Sequence, residues 1–211
     1  MPIIRCSCSC TPLIGESMTI SLARHDALLV VDMQNDFLPG GSLAVAGAET
    51  IIEQVNGYMQ LFADAGLPVF ASRDYHPPHH LSFQAEGGPW PPHCIAGSTG
   101  ADFHPGLRLP DDAVIISKGT SRDKEAYSAL DAPELRERLR ELGTTRVFVC
   151  GVATDYCVHA SARDLLLAGY SVVVLTDAVK AVDIQPCDGD RAKKELTEMG
   201  ALKMRRGDLN V

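Results

Sequence analysis

Residues 150–157 (Cys-Gly-Val-Ala-Thr-Asp-Tyr-Cys) place a thiol where a short apolar run meets a helical pattern. The run at 146–149 predicts a strand, and the apolar spacing over 158–166 predicts a helix. Cys157 then falls in the first turn of that helix, where free N–H groups and the helix dipole favour a thiolate. Cys157 is therefore a candidate nucleophile, and a buried structural cysteine is the alternative.

Three other polar residues, Asp32, Asp74 and Lys118, each follow a predicted strand. The carboxyl ends of parallel strands share one edge of a sheet, and ligands bind at that edge. Asp32 can accept the thiol proton and return it to a leaving group. Lys118 can hold the negative charges of Asp32 and of the Cys157 thiolate close together, and it can keep the pKa of the thiol low. These residues and Cys157 predict a nucleophilic site.

A second group of residues has the chemistry of a metal site. Asp74 and His76 are two residues apart, so both can point the same way from an extended segment. His79, His80 and His93 follow in a segment, residues 75–112, that holds seven of the thirteen prolines and five of the seven histidines. One carboxylate with two or more imidazoles suits one Zn²⁺ ion first, with Fe²⁺ or Mn²⁺ as alternatives. Histidines packed by prolines in an ordered loop are the other interpretation.

Strand and helix patterns alternate along the chain. Strands are predicted near 27–31, 67–71, 114–116, 146–149, 172–175 and 202–204, and helices near 51–62, 135–142, 158–166 and 192–199. This alternation predicts a three-layer α/β/α fold with a mostly parallel, roughly six-stranded, Rossmann-like sheet. We predict one domain over residues 27–211, preceded by a disordered N-terminal extension over 1–26 that carries Cys6, Cys8 and Cys10.

Composition narrows the class of partner. The 211-residue chain has a net charge of −8, which argues against nucleic acid and anionic membranes. No apolar run has the length of a membrane span. Seven cysteines without regular spacing indicate a reducing compartment, so we predict a cytoplasmic protein. We expect it to be a monomer or a homodimer.

Five motifs, and their order along the chain, resemble those of the nicotinamidase family in the isochorismatase-like cysteine hydrolase superfamily. They are residues 32–37 (Asp-Met-Gln-Asn-Asp-Phe), 74–76 (Asp-Tyr-His), 88–94 (Gly-Pro-Trp-Pro-Pro-His-Cys), 116–118 (Ile-Ser-Lys) and 151–157. The similarity covers roughly residues 27–204. The Asp, Lys and Cys elements are shared across the superfamily, whereas the metal loop distinguishes nicotinamidases from metal-free relatives.

The resemblance implies a role for each matched residue. The catalytic triad is Asp32, Lys118 and Cys157. The metal ligands are Asp74, His76 and His93, with His80 as an optional fourth. The residues that line the substrate pocket are Phe37, Leu43, Trp90, Tyr127 and Ala153. It also implies a cis peptide between Val152 and Ala153, and an oxyanion hole formed by the N–H groups of Ala153 and Cys157.

The implied reaction is hydrolysis of the linear carboxamide nicotinamide to nicotinate and ammonia through a cysteine thioester, in NAD salvage. Pyrazinamide is a further expected substrate. The alternatives are a carbamoyl-amide hydrolase or an isochorismatase with the same triad, and a catalytically silent binding module. A dinucleotide-binding protein is weaker, because residues 32–38 lack the glycine-rich turn that it needs.

Overall fold

A computed structural model describes residues 19–210. The strands are β1 (Ile20–Ser21), β2 (Asp26–Val31), β3 (Val69–Asp74), β4 (Val114–Lys118), β5 (Arg146–Val152), β6 (Ser171–Lys180), β7 (Leu202–Met204) and β8 (Leu209–Asn210). The helices are α1 (Ile52–Asp64), α2 (Pro133–Glu141), α3 (His159–Leu167) and α4 (Asp188–Glu198). In the described part of the chain, no helix is long and apolar enough to cross a membrane.

Six strands form one sheet in the order β4-β3-β2-β5-β6-β7, and every neighbouring pair is parallel. Strand β2 lies at the centre and is buried at every position. Its side chains alternate, so that Leu28 and Val30 join the core on one face while Leu29 and Val31 join the core on the other. Fully burying each such side chain stabilises the fold by about 1.5–3 kcal/mol. The predicted α/β fold is confirmed.

Helices cover both faces of the sheet. Val55, Met59 and Phe62 of α1 pack into one core, and α2, α3 and α4 contribute Leu135, Leu139, Leu165 and Leu196 to the other. Helix α2 begins at Pro133, whose missing N–H costs nothing at that position. The long segment between β3 and β4 contains no α-helix, only the short 3-10 turns Gln84–Glu86 and Thr99–Ala101. It is held by backbone pairing of His76 with Ile95 and of Phe83 with Trp90.

The predicted boundary of the N-terminal extension at residue 26 is wrong for residues 19–26. Strand β1 pairs with β8, and Asp26 is the first residue of β2. Arg146 donates to both carboxylate oxygens of Asp26, at 2.8 and 2.6 Å, which ties the start of β2 to β5. Residues 1–18, with Cys6, Cys8 and Cys10, lie outside the described residues.

The turn after β5 also differs from the prediction. Residues Thr154–Val158 form a π-helical turn, and α3 begins only at His159. The Val158 N–H donates to the Ala153 carbonyl at 3.0 Å, a bond that spans five residues. Cys157 therefore lies in a widened turn ahead of the α-helix rather than in its first turn.

Gly151 is the residue that lets β5 enter this turn. Its φ is +108°, and an added Cβ would lie 2.1 Å from the Val31 carbonyl oxygen of the neighbouring strand. Any larger residue here combines backbone strain with a clash against the strand that leads to Asp32.

We predict that Gly151→Ala lowers the free energy of unfolding by at least about 3 kcal/mol, because strain and overpacking add. The matched control is Gly57→Ala in the interior of α1, where a Cβ meets nothing within 4 Å. That change should instead raise stability by about 0.5–1 kcal/mol. Urea denaturation measures both, and equal stabilities for the two variants would contradict this view of the β5 turn.

Candidate active site

Four chemically active side chains meet at the carboxyl edge of the sheet. Asp32 directly follows β2, Asp74 ends β3, and Lys118 ends β4 opposite Asp74 in the strand register. Cys157 follows β5 on the turn described above. Because β4, β3, β2 and β5 are consecutive neighbours, the strand ends carry all four groups into one buried cluster.

The ammonium of Lys118 lies at the centre of the cluster. Its Nζ is 2.9 Å from Asp32 Oδ2 and donates a hydrogen bond to Asp74 Oδ1. It also donates to Cys157 Sγ at 3.4 Å. Burial lowers the pKa of Lys118, but the charges of Asp32 and Asp74 outweigh burial and hold that pKa well above its usual value. Lys118 is therefore a permanent buried cation.

The thiol of Cys157 does not have the low pKa expected for a residue beside Lys118. Burial raises the pKa of Cys157 well above its usual value; Lys118 opposes this, and the charges of Asp32 and Asp74 add to it. The prediction of a lowered thiol pKa is therefore wrong, because burial and two carboxylates outweigh one ammonium. A thiol with a raised pKa needs a base before its sulfur can act as a nucleophile.

Asp32 is placed to be that base. Burial raises the pKa of Asp32 above its usual value, the charge of Asp74 raises it further, and Lys118 opposes both. The Ser72 hydroxyl donates to Asp32 Oδ1 at 2.7 Å and fixes the carboxylate. Among the described residues, the buried Oδ2 has the ion pair with Lys118 but no hydrogen bond of good geometry. A lone pair therefore remains for the thiol proton.

A metal-binding geometry adjoins the cluster through the other oxygen of Asp74. Asp74 Oδ2 lies 3.5 Å from His76 Nε2 and 4.0 Å from His93 Nε2, and all three side chains are buried. The Nδ1 atoms of His76 and His93 lie 2.9 and 2.8 Å from the carbonyls of Gly119 and Pro91. If Nδ1 carries the proton, each Nε2 can present a lone pair to a metal. A hydrogen bond from Nδ1 to a backbone carbonyl is the usual outer support of a metal-bound imidazole.

His80 stands beside these ligands without joining them. Its ring stacks on His76 with centroids 4.2 Å apart. Its Nδ1 lies 2.7 Å from Ser82 Oγ and its Nε2 lies 3.1 Å from the Lys124 carbonyl. Both nitrogens are therefore engaged, and the histidines close enough to Asp74 to share a metal with it are His76 and His93.

Gln34 is a supporting residue that sequence reasoning missed. Its buried side-chain amide donates to the Asp74 carbonyl at 2.7 Å and accepts from the Asp74 N–H at 2.8 Å. It also donates to the Ala101 carbonyl at 2.9 Å. The position of Gln34 two residues after Asp32 was the available signal. Gln34 thereby joins the backbone of Asp74 to the segment that directly follows Asp32.

A mainly apolar pocket opens onto both groups. Its lining contains the predicted residues Phe37, Leu43, Trp90, Tyr127 and Ala153 together with Asp74, His76, His93 and Cys157. Val45, Tyr156 and Val182 also line it and were not predicted. Trp90 Nε1 donates to the Tyr127 hydroxyl at 2.9 Å, and the Trp90 ring packs edge-on against Tyr156. The pocket can hold a small flat molecule between the histidines and the thiol.

The peptide between Val152 and Ala153 is cis, as the resemblance implied. The turn that follows is anchored by Asp155, whose two carboxylate oxygens accept from the N–H groups of Val182 and Asp183 at 2.9 and 2.8 Å. Since Val182 lines the pocket, Asp155 joins the nucleophile turn to the opposite pocket wall.

Comparison with known proteins gives consistent matches. The family model described as the Isochorismatase domain matches residues 26–204. A nicotinamidase from Acinetobacter baylyi is 39% identical over 184 residues, which is 77% of this chain and 84% of that protein. The pyrazinamidase of Pyrococcus horikoshii in complex with zinc is 48% identical, with a TM-score of 0.82 over 86% of this chain and 99% of that one. PnC1 from L. infantum in complex with nicotinate is 37% identical, with a TM-score of 0.81 over 94% and 98%.

We predict that Asp155→Asn lowers the free energy of unfolding by about 1–2 kcal/mol, because the amide can accept only one of the two backbone hydrogen bonds. Asp111→Asn, at an exposed loop position, is the matched control and should change little. Chemical denaturation of the two variants measures the difference. An Asp155→Asn protein as stable as the control would show that this anchor does not hold the turn.

Proposed function

The chain belongs to the isochorismatase family, and we propose that this amide hydrolase converts nicotinamide to nicotinate and ammonia. One observation carries the proposal: the same small apolar pocket contains the Cys157 thiol and the metal-binding geometry of Asp74, His76 and His93. A flat carboxamide with a ring nitrogen can meet both at once. The nicotinamidase and pyrazinamidase relatives and the nicotinate-bound structure support this substrate class.

The donor atoms fit one divalent metal. A carboxylate oxygen and two imidazole nitrogens, all within 4.8 Å of one another, match a site that keeps positions open for a ligand. Asp74, His76 and His93 would hold the ion, which when bound supplies a Lewis-acid contact for a ring nitrogen. Zn²⁺ is the first candidate, supported by the zinc-containing Pyrococcus structure, and Fe²⁺ and Mn²⁺ suit the same donors.

The pocket residues orient the ring of the substrate. Phe37 and Trp90 present aromatic surfaces, and Leu43 adds an aliphatic one. The ring of Phe37 lies 5.7 Å from that of His93, centroid to centroid, next to the metal-facing end of the pocket. A pyridine ring held there would point its carboxamide towards Cys157 and away from water.

Acid–base chemistry then follows from the cluster. Asp32 takes the proton of the Cys157 thiol, and the thiolate attacks the amide carbon. Asp32 returns the proton to the amine as the carbon–nitrogen bond breaks, so ammonia leaves and a thioester remains. Water, deprotonated by Asp32, attacks the thioester to release nicotinate and restore the thiol. Lys118 stays charged throughout and stabilises both anionic partners.

The N–H groups of Ala153 and Cys157 complete the scheme as an oxyanion hole. Both residues line the pocket, on the turn that follows the cis peptide. Hydrogen bonds from such a pair stabilise the negative charge on the carbonyl oxygen, and losing one donor typically costs about 100-fold or more in rate.

The wider role proposed for the protein is NAD salvage in the cytoplasm, as a monomer or homodimer. Its four described cysteines, Cys94, Cys150, Cys157 and Cys187, are free thiols, which suits a reducing compartment. We also propose pyrazinamide as a substrate, because it retains a ring nitrogen and a carboxamide in the same relation.

Ammonia release from nicotinamide tests the activity. Wild-type protein should release one ammonia per nicotinate, and Cys157→Ala should release none above background while keeping its metal. Cys187→Ala, which removes an exposed thiol, is the control and should retain wild-type activity. Ammonia release by Cys157→Ala at the wild-type rate would overturn the nucleophile assignment.

His93→Ala tests the metal assignment. Removing one of three ligands should lower metal affinity at least about 10-fold and raise the nicotinamide concentration needed for half-maximal rate. Metal content after dialysis gives the first readout, and the KM gives the second. His79→Ala, on an exposed histidine, is the matched control. Unchanged metal content in His93→Ala would remove His93 from the ligand set.

A further inference from the structure

Asp74 faces two cation sites at once. Its Oδ2 lies towards His76 and His93, while its Oδ1 accepts from the Lys118 ammonium. On the Lys118 side, Asp32, Asp74 and Cys157 each offer one ligand atom within 4.8 Å of the others, and all three residues are buried. Two carboxylates and a thiol at this spacing form a second potential metal site that shares Asp74 with the first.

The ammonium of Lys118 fills the centre of this second site. It lies 2.9 Å from Asp32 Oδ2 and 3.4 Å from Cys157 Sγ, and it donates to Asp74 Oδ1. Two of its N–H groups donate to Asp74 and Cys157, and its charge faces the Asp32 carboxylate as an ion pair. These distances exceed zinc–oxygen and zinc–sulfur bonds, which are about 2.0–2.2 and 2.3 Å. A metal ion at the position of Nζ would therefore require the same ligands to move inward, by about 0.8 Å at Asp32 and about 1.1 Å at Cys157.

Asp32 strengthens the case that a cation belongs at this point. Its Oδ2 is buried and, among the residues the structure describes, accepts no hydrogen bond of good geometry, so the charge of Lys118 alone compensates it. A buried carboxylate without a nearby cation is costly. If the ammonium is removed, three ligands that can carry negative charge surround an empty position.

We infer that Lys118 has a second role: it is the resident, covalently attached cation that excludes a divalent metal from the nucleophile. A thiophilic ion at this position would bind the Cys157 sulfur and stop it from attacking a substrate. This role rests on the proposed function, in which the adjoining Asp74, His76 and His93 site holds a divalent ion of the same class. A lysine cannot dissociate, so the thiol stays free at any metal concentration that fills the first site.

The test counts metal in the Lys118→Ala and Lys118→Ser variants. After equilibration with Zn²⁺ and dialysis, each variant should hold one more ion per chain than wild-type protein. With Cd²⁺, the variants should show the ultraviolet charge-transfer absorption of a cadmium–thiolate bond, which wild-type protein should lack. Adding Cys157→Ala to Lys118→Ala should remove that absorption.

The difference in ion count between variant and wild type is independent of the substrate, and it is informative even if the first site holds no metal. Equal counts in folded variants and wild type would overturn the inference. If both variants fail to fold, wild-type protein alone decides. Iodoacetamide labelling, read by mass spectrometry on the peptide that contains Cys157, should be unaffected by excess Cd²⁺. Protection of Cys157 by Cd²⁺ in the wild-type protein would contradict exclusion by Lys118.

Discussion

The buried ion cluster around Lys118 is the interaction on which the rest of the site depends. Asp32 and Asp74 are two carboxylates removed from water, and their mutual repulsion is tolerable only with a cation between them. Lys118 supplies that cation from an edge strand, reaching inward past β3 to the end of β2. Removing one partner of such a buried network typically costs several kcal/mol. The cluster therefore binds four strand ends together as well as arranging the chemistry.

Asp74 connects two regions of the site, because each of its two carboxylate oxygens faces a different region. One oxygen faces the imidazoles of His76 and His93, and the other faces the ammonium of Lys118, which also contacts Asp32 and Cys157. The support from Gln34 and the anchor at Asp155 fix the backbone on either side of the pocket. The buried Lys118 side chain thus joins the Asp74, His76 and His93 group to Asp32 and Cys157 in one frame.

Much of this architecture was predictable because the signals are local. The continuous apolar run of β2 and the amphipathic pattern of α1 determine buried strand and surface helix directly. The polar residues at the strand ends were predictable as a group, because parallel strands bring their carboxyl ends together. What could not be predicted depends on three-dimensional context. The raised pKa of Cys157 follows mainly from its burial. The place of Val182 in the pocket lining depends on a hydrogen bond from its backbone N–H to the Asp155 carboxylate, which lies far from it in the sequence.

The central claim is that a metal-held ring nitrogen and a buried thiol act on one substrate. The most direct test measures ammonia release from nicotinamide and from benzamide, which has the same carboxamide without a ring nitrogen. Both rates are measured in metal-loaded protein, after chelation, and after metal has been returned. The account predicts rapid hydrolysis of nicotinamide that chelation abolishes and added metal restores. In metal-loaded protein it predicts hydrolysis of benzamide at least about 100-fold slower than that of nicotinamide. Equal rates for the two amides in metal-loaded protein, or full activity on nicotinamide in chelated protein, would contradict it.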